Sequence, residues 1–281
     1  MEAFWEILKS IVQGIVQGIT EWLPISSTGH IILLNEFWPM NPDFFNLFKV
    51  LIQLGSILAV LVLYFHKLNP FSHKKTDIQR KDTWHLWWKV LIASIPAGVI
   101  GVLFNDIIDE KLSTSIIIAA TLIIYGVLFL VVESMNKQPS IRSFDEMDYK
   151  TVLFIGVFQM LALIPGTSRS GATIVGALML GCSRYVAAEF SFFMAIPAMF
   201  GASAIKLLKY FSDGLTLSRL EWGMLLVGML ISFVVSMVVI KFLMSFIKKH
   251  DFKPFGYYRI ALGVLLLILF FAGLMPQHVV S

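Results

Sequence analysis

The sequence is poor in charged residues and holds a single cysteine, and each shortage excludes a class of protein. Only 14% of its 281 residues are charged, while 57% are hydrophobic and the mean hydropathy is +0.80. Soluble domains carry about a quarter charged residues, so the composition indicates a multi-span membrane protein. The lone Cys182 excludes an intrachain disulfide and a multi-cysteine metal site, and is typical of a small packing residue.

The sequence also lacks the marks of a removable signal peptide and of a soluble domain. Its first residues form no basic region, and no small-residue cleavage site follows them. No long polar segment interrupts the apolar runs, so we expect residues 1–281 to form one integral membrane domain. The net charge of +4 does not indicate a nucleic-acid partner, because the basic residues fall in short loops and report orientation instead.

Six apolar runs are long enough to cross a bilayer, which takes about 20 residues as an α-helix. They cover residues 44–66, 84–105, 114–133, 186–210, 222–247 and 256–276. Loops 67–83, 134–150 and 248–254 are rich in Lys and Arg, whereas loops 106–113 and 212–221 contain only Lys111 and Arg219. The positive-inside rule therefore places the first three loops in the cytoplasm.

Two further apolar segments are broken before they can cross. Residues 1–43 are interrupted at Pro24 and residues 151–185 at Pro165. Because the loops on either side fix its ends, segment 151–185 must begin and finish on the cytoplasmic side. Pieces of about 13 residues reach about 20 Å as helix, less than a hydrocarbon core of about 30 Å. We therefore expect both segments to be re-entrant helix–loop–helix elements, the first entering from outside.

A repeat at an offset of 142 residues relates these two segments. The identical pairs are Gly14/Gly156, Gln17/Gln159, Ser26/Ser168, Gly29/Gly171, Ile32/Ile174 and Phe48/Phe190. Each repeat, residues 1–133 and 151–276 around a cytoplasmic linker at 134–150, has one re-entrant element and three spans. Because three is odd, the second copy must be inverted. The expected fold is an all-α polytopic membrane protein with six transmembrane helices and two re-entrant elements in an inverted-topology repeat.

Both broken segments carry polar residues at membrane depth, where irregular backbone must be buried in protein or line a wet cavity. The first holds Gln17, Glu21 and the run Ser26 to His30, and the second holds the run Pro165 to Thr173 with Arg169. An ionisable residue at the bilayer centre costs about 2.5–3.5 kcal/mol on insertion scales, so these charges indicate function. Helix N-termini bind anions, and arginine binds phosphate bidentately.

Simpler roles compete for some of these residues. Gln17 suits a polar packing face beside small residues, and Ser26, Thr28 and Ser170 suit helix capping. Neither role explains His30 and Arg169 together. Hydroxyl, imidazole, carboxylate and arginine supply a nucleophile, an acid or base, and a charge clamp for phosphoryl transfer. The residues therefore favour a phosphate-binding site in the membrane, and an enzyme over a transporter.

These motifs resemble the undecaprenyl-pyrophosphate phosphatase family, also called the bacitracin-resistance protein family. The family's Glu/Gln-xxx-Glu motif matches Gln17 to Glu21, its Ser-Ser-Thr-Gly-His run matches Ser26 to His30, and its Pro-Gly-x-Ser-Arg-Ser-Gly-x-Thr motif matches Pro165 to Thr173. The resemblance covers essentially the whole chain. This chain departs from the family's pattern at Lys49, where some relatives have an acid. At position 17 it carries Gln, an allowed variant that has no carboxylate.

The resemblance implies a bacterial plasma-membrane enzyme that hydrolyses a polyprenyl diphosphate lipid, undecaprenyl diphosphate, to undecaprenyl phosphate and phosphate. This reaction recycles the lipid carrier for peptidoglycan and confers bacitracin resistance. The resemblance also implies an extracytoplasmic site and a divalent cation, Mg²⁺ or Ca²⁺, at Glu21. The implied catalytic residues are Glu21, Ser27, His30 and Arg169. The implied substrate-binding residues are Gln17, Ser26, Thr28, Gly166, Ser168, Ser170 and Thr173.

Two chemical schemes and two other functions stay open. Either Ser27 is the nucleophile with His30 as its base, or His30 attacks phosphorus directly. A lipid-phosphate transporter or flippase is the main alternative, because broken helices in inverted repeats are typical of transporters. A lipid kinase is weaker, since no Walker-type motif is present. A homodimer is a state that the sequence allows.

Overall fold

The computed structural model describes residues 1–135 and 137–277, in which the regular elements are helices. In chain order they are α1 Glu2–Thr20, α2 Ser27–Phe37, α3 Pro42–Leu63, α4 Phe65–Leu68, α5 Asp77–Leu112, α6 Ser115–Ser134, α7 Tyr149–Leu161, α8 Arg169–Met179, α9 Arg184–Ser212, α10 Arg219–Phe246 and α11 Lys253–Phe271. Six of the described helices (α3, α5, α6, α9, α10 and α11) are long and apolar enough to cross a membrane. The prediction of an all-helical, multi-pass membrane protein is confirmed.

The main departure from the predicted spans is α5. Its helix begins at Asp77 and runs to Leu112, through much of the stretch expected to be an outer loop. The early start has a local cause, because Thr76 and Gln79 form a reciprocal capping box at its N-terminus. The part Asp77–Phe104 is long and apolar enough to cross a membrane.

Each segment expected to be re-entrant forms two helices with a break at the predicted place. Helices α2 and α8 have 11 residues each and α7 has 13, which at 1.5 Å per residue is about 17–20 Å. Helix α1 is longer, at 19 residues, but is not among the six apolar spans. The starts of α2 and α8, and of α3 and α9, both differ by the 142 residues of the sequence repeat.

The short-helix pairs pack against spans of the opposite half of the chain. Helix α1 packs mainly on α10, and α7 mainly on α5. Glycines make both contacts possible, since a Cβ at Gly14 would lie 2.8 Å from the Gly228 oxygen and one at Gly156 only 2.4 Å from the Ala93 oxygen. The matched glycines of the repeat therefore occupy equivalent close approaches between helices.

Helices α6 and α11 form another close pair. A Cβ at Gly126 would lie 2.8 Å from the Gly256 oxygen, and one at Gly263 would lie 2.8 Å from the Ala119 oxygen. This packing buries Arg259 completely. Its guanidinium therefore ends beside the breaks of both short-helix pairs.

Two ion pairs, each between a buried carboxylate and a half-exposed cation, join α9 to α6 and to α4. Arg184 and Glu133 meet at 2.6 Å, and Lys67 and Glu189 also meet at 2.6 Å. Nearby, Cys182 is a buried free cysteine whose pKa is raised to about 12 by burial. A thiol in that state is unreactive, which agrees with a packing role.

Candidate active site

The breaks of the two short-helix pairs meet inside the protein. One break is residues 21–26, between α1 and α2, and the other is residues 162–168, between α7 and α8. Arg169 Nη2 lies 3.2 Å from Glu21 Oε1, in an ion pair whose side chains are only 12% and 6% exposed. Ser170 Oγ also donates to the Glu21 carbonyl at 3.3 Å. Segments far apart in the sequence therefore build one site.

The second carboxylate oxygen of Glu21 receives two further hydrogen bonds. Ser27 Oγ donates to Glu21 Oε2 at 2.6 Å, and Gln17 Nε2 donates to the same atom at 2.9 Å. Gln17 lies one helical turn before Glu21, which puts both side chains on one face. The carboxylate is therefore placed to accept the proton of the Ser27 hydroxyl.

Serines with positive φ cap both α2 and α8. Ser26 has φ of 73° and accepts from the Gly29 amide at 3.4 Å, and Ser168 has φ of 70° and accepts from the Gly171 amide at 3.2 Å. Positive φ costs a non-glycine residue about 1–3 kcal/mol and concentrates at functional sites. The first amides of each helix lack intrahelical partners, so both N-termini are suited to anions.

Contacts from α9 and from the first break fix the position of Arg169. Its Nη1 donates to the Ser191 carbonyl at 2.6 Å, and the guanidinium lies 6.0 Å from the centre of the Trp22 ring. Thr173 Oγ1 donates to Ser191 Oγ at 2.7 Å and ties α8 to α9. Among the described residues, Arg169 Nε has no partner. This arginine therefore keeps a donor for a further ligand.

His30 is held by groups other than Ser27. Its Nδ1 lies 2.7 Å from the Ser26 carbonyl, and its Nε2 lies 2.7 Å from the Tyr258 hydroxyl. A carbonyl only accepts, so Nδ1 carries the proton and Nε2 accepts from tyrosine. Burial lowers the pKa of His30, the charge of Arg259 adds to this, and the hydrogen bond to Ser26 opposes it. The ring is therefore neutral at pH 7.

Arg259 links the two breaks through backbone carbonyls. Its Nη1 donates to Pro24 at 3.1 Å, and its Nη2 donates to Gly166 and Thr167, each at 2.9 Å. Its guanidinium also lies 5.6 Å from the centre of the Tyr125 ring. One buried cation therefore holds both breaks in register, while Arg169 is the cation paired with the carboxylate.

A cavity of about 2240 Å³ extends from this cluster between α3, α5 and α9. Its walls along α5 and α9 are largely apolar or small, with Val99, Val102 and Ala198 among them. Its wall along α3 is polar, with Asn46, Lys49 and Gln53 on one helical face. The cavity therefore combines a polar end with an apolar body large enough for an extended lipid chain.

The predicted site residues divide into two groups. Those that line the cavity are Glu21, Ser27, Thr28, Gly166, Ser168 and Arg169. The others form hydrogen bonds that keep the lining residues in place: Gln17, Ser26, His30, Ser170 and Thr173. No hydrogen bond joins His30 to Ser27 in the described part of the chain, where the Ser27 hydroxyl is bonded to Glu21 instead.

The carboxylate and amide oxygens in the site determine whether it can bind a metal ion. The described residues contain no group of three or more His, Cys, Asp or Glu side chains able to hold one. Glu21 supplies one carboxylate, and the buried Gln17 Oε1 has no partner within the described ranges. Mg²⁺ often binds one or two carboxylates and otherwise substrate phosphate oxygens. The residues therefore fit a cation shared with a diphosphate and do not form a resident metal centre.

Sequence reasoning assigned no role to three residues that shape this site: Ser191, Tyr258 and Arg259. A role for Arg259 could have been predicted from the sequence, because an arginine inside an apolar helix requires a buried partner. No sequence feature indicated a role for Ser191 or Tyr258, since single hydroxyls are common in membrane helices and the partners of these two lie far away in the sequence.

Comparison with known proteins identifies the family of this chain. The family model described as "Bacitracin resistance protein BacA" matches residues 10–265. Undecaprenyl-diphosphatase 1 of Clostridioides difficile (strain 630) is 58% identical over 275 residues, which cover 96% of this chain and 99% of that protein. The undecaprenyl-diphosphatase of Acetivibrio thermocellus is 57% identical over 271 residues, covering 95% and 98%. That of Lactiplantibacillus plantarum is 56% identical over 266 residues, covering 93% and 97%.

Proposed function

The chain belongs to the bacitracin resistance protein BacA family, and on that premise we propose that it hydrolyses undecaprenyl diphosphate to undecaprenyl phosphate and inorganic phosphate. The observation that carries the proposal is the contact of Glu21 with both Ser27 and Arg169 at the polar end of a membrane cavity. The product is the lipid carrier of cell-wall synthesis, and its recycling accounts for bacitracin resistance.

Ser27 is the nucleophile in the scheme that this geometry supports. Its Oγ attacks the terminal phosphorus and passes its proton to Glu21 Oε2, 2.6 Å away. The bond from that phosphorus to the bridging oxygen breaks, and undecaprenyl phosphate leaves with the bridging oxygen. Arg169 turns from Glu21 to the transferring phosphoryl group and balances its negative charge, together with the free amides that begin α2 and α8.

Water completes the reaction by attacking the phosphorylated Ser27. Glu21 first releases the proton of the first step to solvent and takes one proton from the attacking water. The phosphorus–Oγ bond breaks, Oγ takes this proton from Glu21, and the remaining OH of the water leaves as part of inorganic phosphate. Both steps use the same carboxylate and the same arginine. The apolar body of the cavity holds the prenyl chain, which keeps the diphosphate at the polar end.

His30 positions the loop in this scheme. Its bond to the Ser26 carbonyl fixes the residue before Ser27, and its other nitrogen is occupied by Tyr258. The alternative, in which His30 itself is phosphorylated, requires the ring to leave both partners. The contacts therefore favour Ser27 over His30 as the attacking group.

A divalent cation, Mg²⁺ or Ca²⁺, is part of the proposal. Glu21 and the unpaired amide oxygen of Gln17 would hold it together with oxygens of the diphosphate. When bound, it supplies positive charge that lowers the repulsion between the diphosphate and an approaching nucleophile.

The inverted-topology repeat and an outward-facing site also belong to the proposal. Matched helix starts, matched positive-φ serines and matched glycine contacts support the repeat. The basic loops support a cytoplasmic position for residues 67–83, 134–150 and 248–254. Lys206 and Lys209 line the cavity near the end of α9 that faces away from those loops. These observations support a polar end that is reached from the extracytoplasmic side.

Trapping the phosphorylated enzyme tests the scheme. Purified protein in detergent should release phosphate from a C₅₅ diphosphate, and Glu21→Gln should reduce kcat about 10²–10⁴-fold, the contribution of a general base. Rapid quenching should recover phosphoserine at position 27. Phosphohistidine at position 30 would refute the assignment of the nucleophile while leaving the hydrolase intact.

The same assay separates hydrolase from flippase. If the wild-type protein releases no phosphate but moves lipid phosphate across vesicles, the proposed function is wrong and the transporter alternative holds. The homodimer and the linker between the repeats stay predictions.

A further inference from the structure

Gln159 is a buried glutamine on the wall of the large cavity. It lies near the end of α7, is 3% exposed, and lines the cavity together with Glu21, Ser27 and Arg169. Its Oε1 has no hydrogen-bond partner among the described residues. A buried acceptor of this kind requires a donor from water or a ligand. The amide is therefore placed to bind a molecule that enters the cavity.

The sequence repeat shows how this glutamine differs from its counterpart. Gln159 matches Gln17 at the offset of 142 residues, and each lies on the helix that leads into one of the two breaks. Gln17 donates to Glu21, one turn further along α1. At the position that matches Glu21 the second segment has Leu163, so Gln159 has no carboxylate partner in its own segment. The repeat thus directs both glutamines toward the breaks that meet, and leaves Gln159 Oε1 for a ligand.

The ligand of Gln159 Oε1 has to supply a donor, which selects among the reactants. The diphosphate offers acceptor oxygens, which suit Arg169 and the free amides that begin α2 and α8. Water offers two O–H groups and is the other reactant of a hydrolysis. In the second step of the proposed scheme a water gives one proton to Glu21, so its other O–H needs a second acceptor. Gln159 Oε1 is such an acceptor on the wall of the same cavity.

We propose that Gln159 holds the water that attacks the phosphorylated enzyme. One O–H of this water donates to Glu21 and the other donates to Gln159 Oε1, so two acceptors orient its lone pair toward phosphorus. As the water oxygen bonds to phosphorus, the first proton passes to Glu21 and from there to the departing Ser27 Oγ. The second proton stays on the oxygen and leaves as an OH of inorganic phosphate. The inference rests on the proposed hydrolysis and adds a residue to its second step.

Gln159→Met should slow the second step and leave the first step unchanged. Methionine keeps an unbranched side chain of the same length, and loss of an amide oxygen that has no internal partner should not lower the unfolding temperature. Misplacement of a reacting group by about 1 Å costs about 10²-fold, so the phosphorylated enzyme should decay about 10²-fold more slowly and accumulate. Since kcat/KM reports only the steps up to formation of that intermediate, it should stay within about threefold while kcat and KM fall together.

Two other variants separate this role from a structural one. Gln159→Glu keeps an acceptor oxygen but adds negative charge near the diphosphate, so it should lower kcat/KM without accumulation of the phosphorylated enzyme. Gln13→Met is the matched control, because Gln13 is also buried with an unpartnered Oε1 but does not line the large cavity. Its decay rate and its kcat/KM should stay within about threefold of the wild type.

Rapid quenching and steady-state phosphate release, on full-length protein in detergent with a C₅₅ diphosphate, test the inference. Accumulation of phosphorylated enzyme in Gln159→Met with preserved kcat/KM supports it, whichever residue carries the phosphoryl group. A fall in kcat/KM as large as that in kcat, without accumulation, overturns it and assigns Gln159 to the diphosphate or its cation. Wild-type kinetics in Gln159→Met overturn it while the hydrolase stands. If the wild-type protein releases no phosphate, the proposed function itself is wrong and the inference falls with it.

Discussion

Replacement of Arg259 by methionine should separate the two breaks that build the site. Arg259 is fully buried and donates to the carbonyls of Pro24, Gly166 and Thr167 at 2.9–3.1 Å. Its longer contacts, at 3.4–3.5 Å, reach the carbonyls of two residues on α6. Methionine keeps an unbranched side chain, is two atoms shorter than arginine and donates nothing, so the three loop carbonyls lose their short bonds together.

The magnitude follows from those three carbonyls. A buried acceptor left without a donor costs about 1–3 kcal/mol, which puts the gross loss at about 3–9 kcal/mol. Removal of a buried charge returns part of its desolvation cost, and water entering beside Gly166 would satisfy one carbonyl. We therefore expect a net loss of about 3–5 kcal/mol, a large share of the about 5–15 kcal/mol that stabilises a typical protein.

Thermal unfolding in detergent and phosphate release together measure this effect. Arg259→Met should unfold at a clearly lower temperature and lose activity even where it is folded, because Glu21 and Arg169 no longer face each other. Arg259→Lys keeps the charge with fewer donors, so its unfolding temperature and activity should lie between those of the wild type and of Arg259→Met. Arg80→Met removes an arginine from an exposed position and should change stability by less than about 0.5 kcal/mol. Wild-type stability and kcat in Arg259→Met would refute the reasoning.

Two more predictions concern the loop backbone and His30. Gly166 has φ of +89°, and a Cβ there would lie 2.2 Å from Thr121 Oγ1, whereas Gly214 has φ of +78° with nothing within 4 Å. Gly166→Ala should therefore cost about 3 kcal/mol or more in unfolding free energy and Gly214→Ala only about 1, and equal losses would contradict the close approach. Because burial lowers the pKa of His30, the ring stays neutral until the pH falls below about 6.5, and the acid limb of kcat/KM should lie there. Tyr258→Phe removes the donor that favours a neutral His30 Nε2 and should move the acid limb of kcat/KM to higher pH. The control Tyr257→Phe changes an exposed tyrosine and should leave the limb in place. If both variants have the same acid limb, His30 does not govern the pH profile.

The helices could be predicted from the sequence because their signals are local. A span needs only about 20 apolar residues, and a break needs only a proline followed by hydroxyls and glycine. The repeat offset even fixes the starts of α2 and α8, since a serine cap and a glycine three residues later recur in both. Where charge alone suggested a loop, at residues 106–113, the prediction was less accurate, because charged residues such as Glu110 and Lys111 are also good helix formers and α5 continues through them.

Partners inside the site could not be predicted, because distant packing selects them. Ser27 and His30 lie three residues apart on α2, which makes a direct contact between them reasonable from sequence. The structure instead pairs Ser27 with Glu21 and His30 with Tyr258, which is 228 residues away. The second pairing exists only because α11 packs closely on α6 and brings its tyrosine to α2. No local pattern encodes that approach.

The pairing of Glu21 with Arg169 explains how such a site can exist in a membrane. Either charge alone at this depth would be costly, and each broken segment supplies only one of them. Together they form a buried pair that is nearly neutral until a ligand arrives. In the proposed scheme, a diphosphate carries enough negative charge to draw Arg169 away from Glu21, and this exchange frees the carboxylate beside the Ser27 hydroxyl. Substrate binding and activation of the nucleophile are then one event, because the same arginine takes part in both.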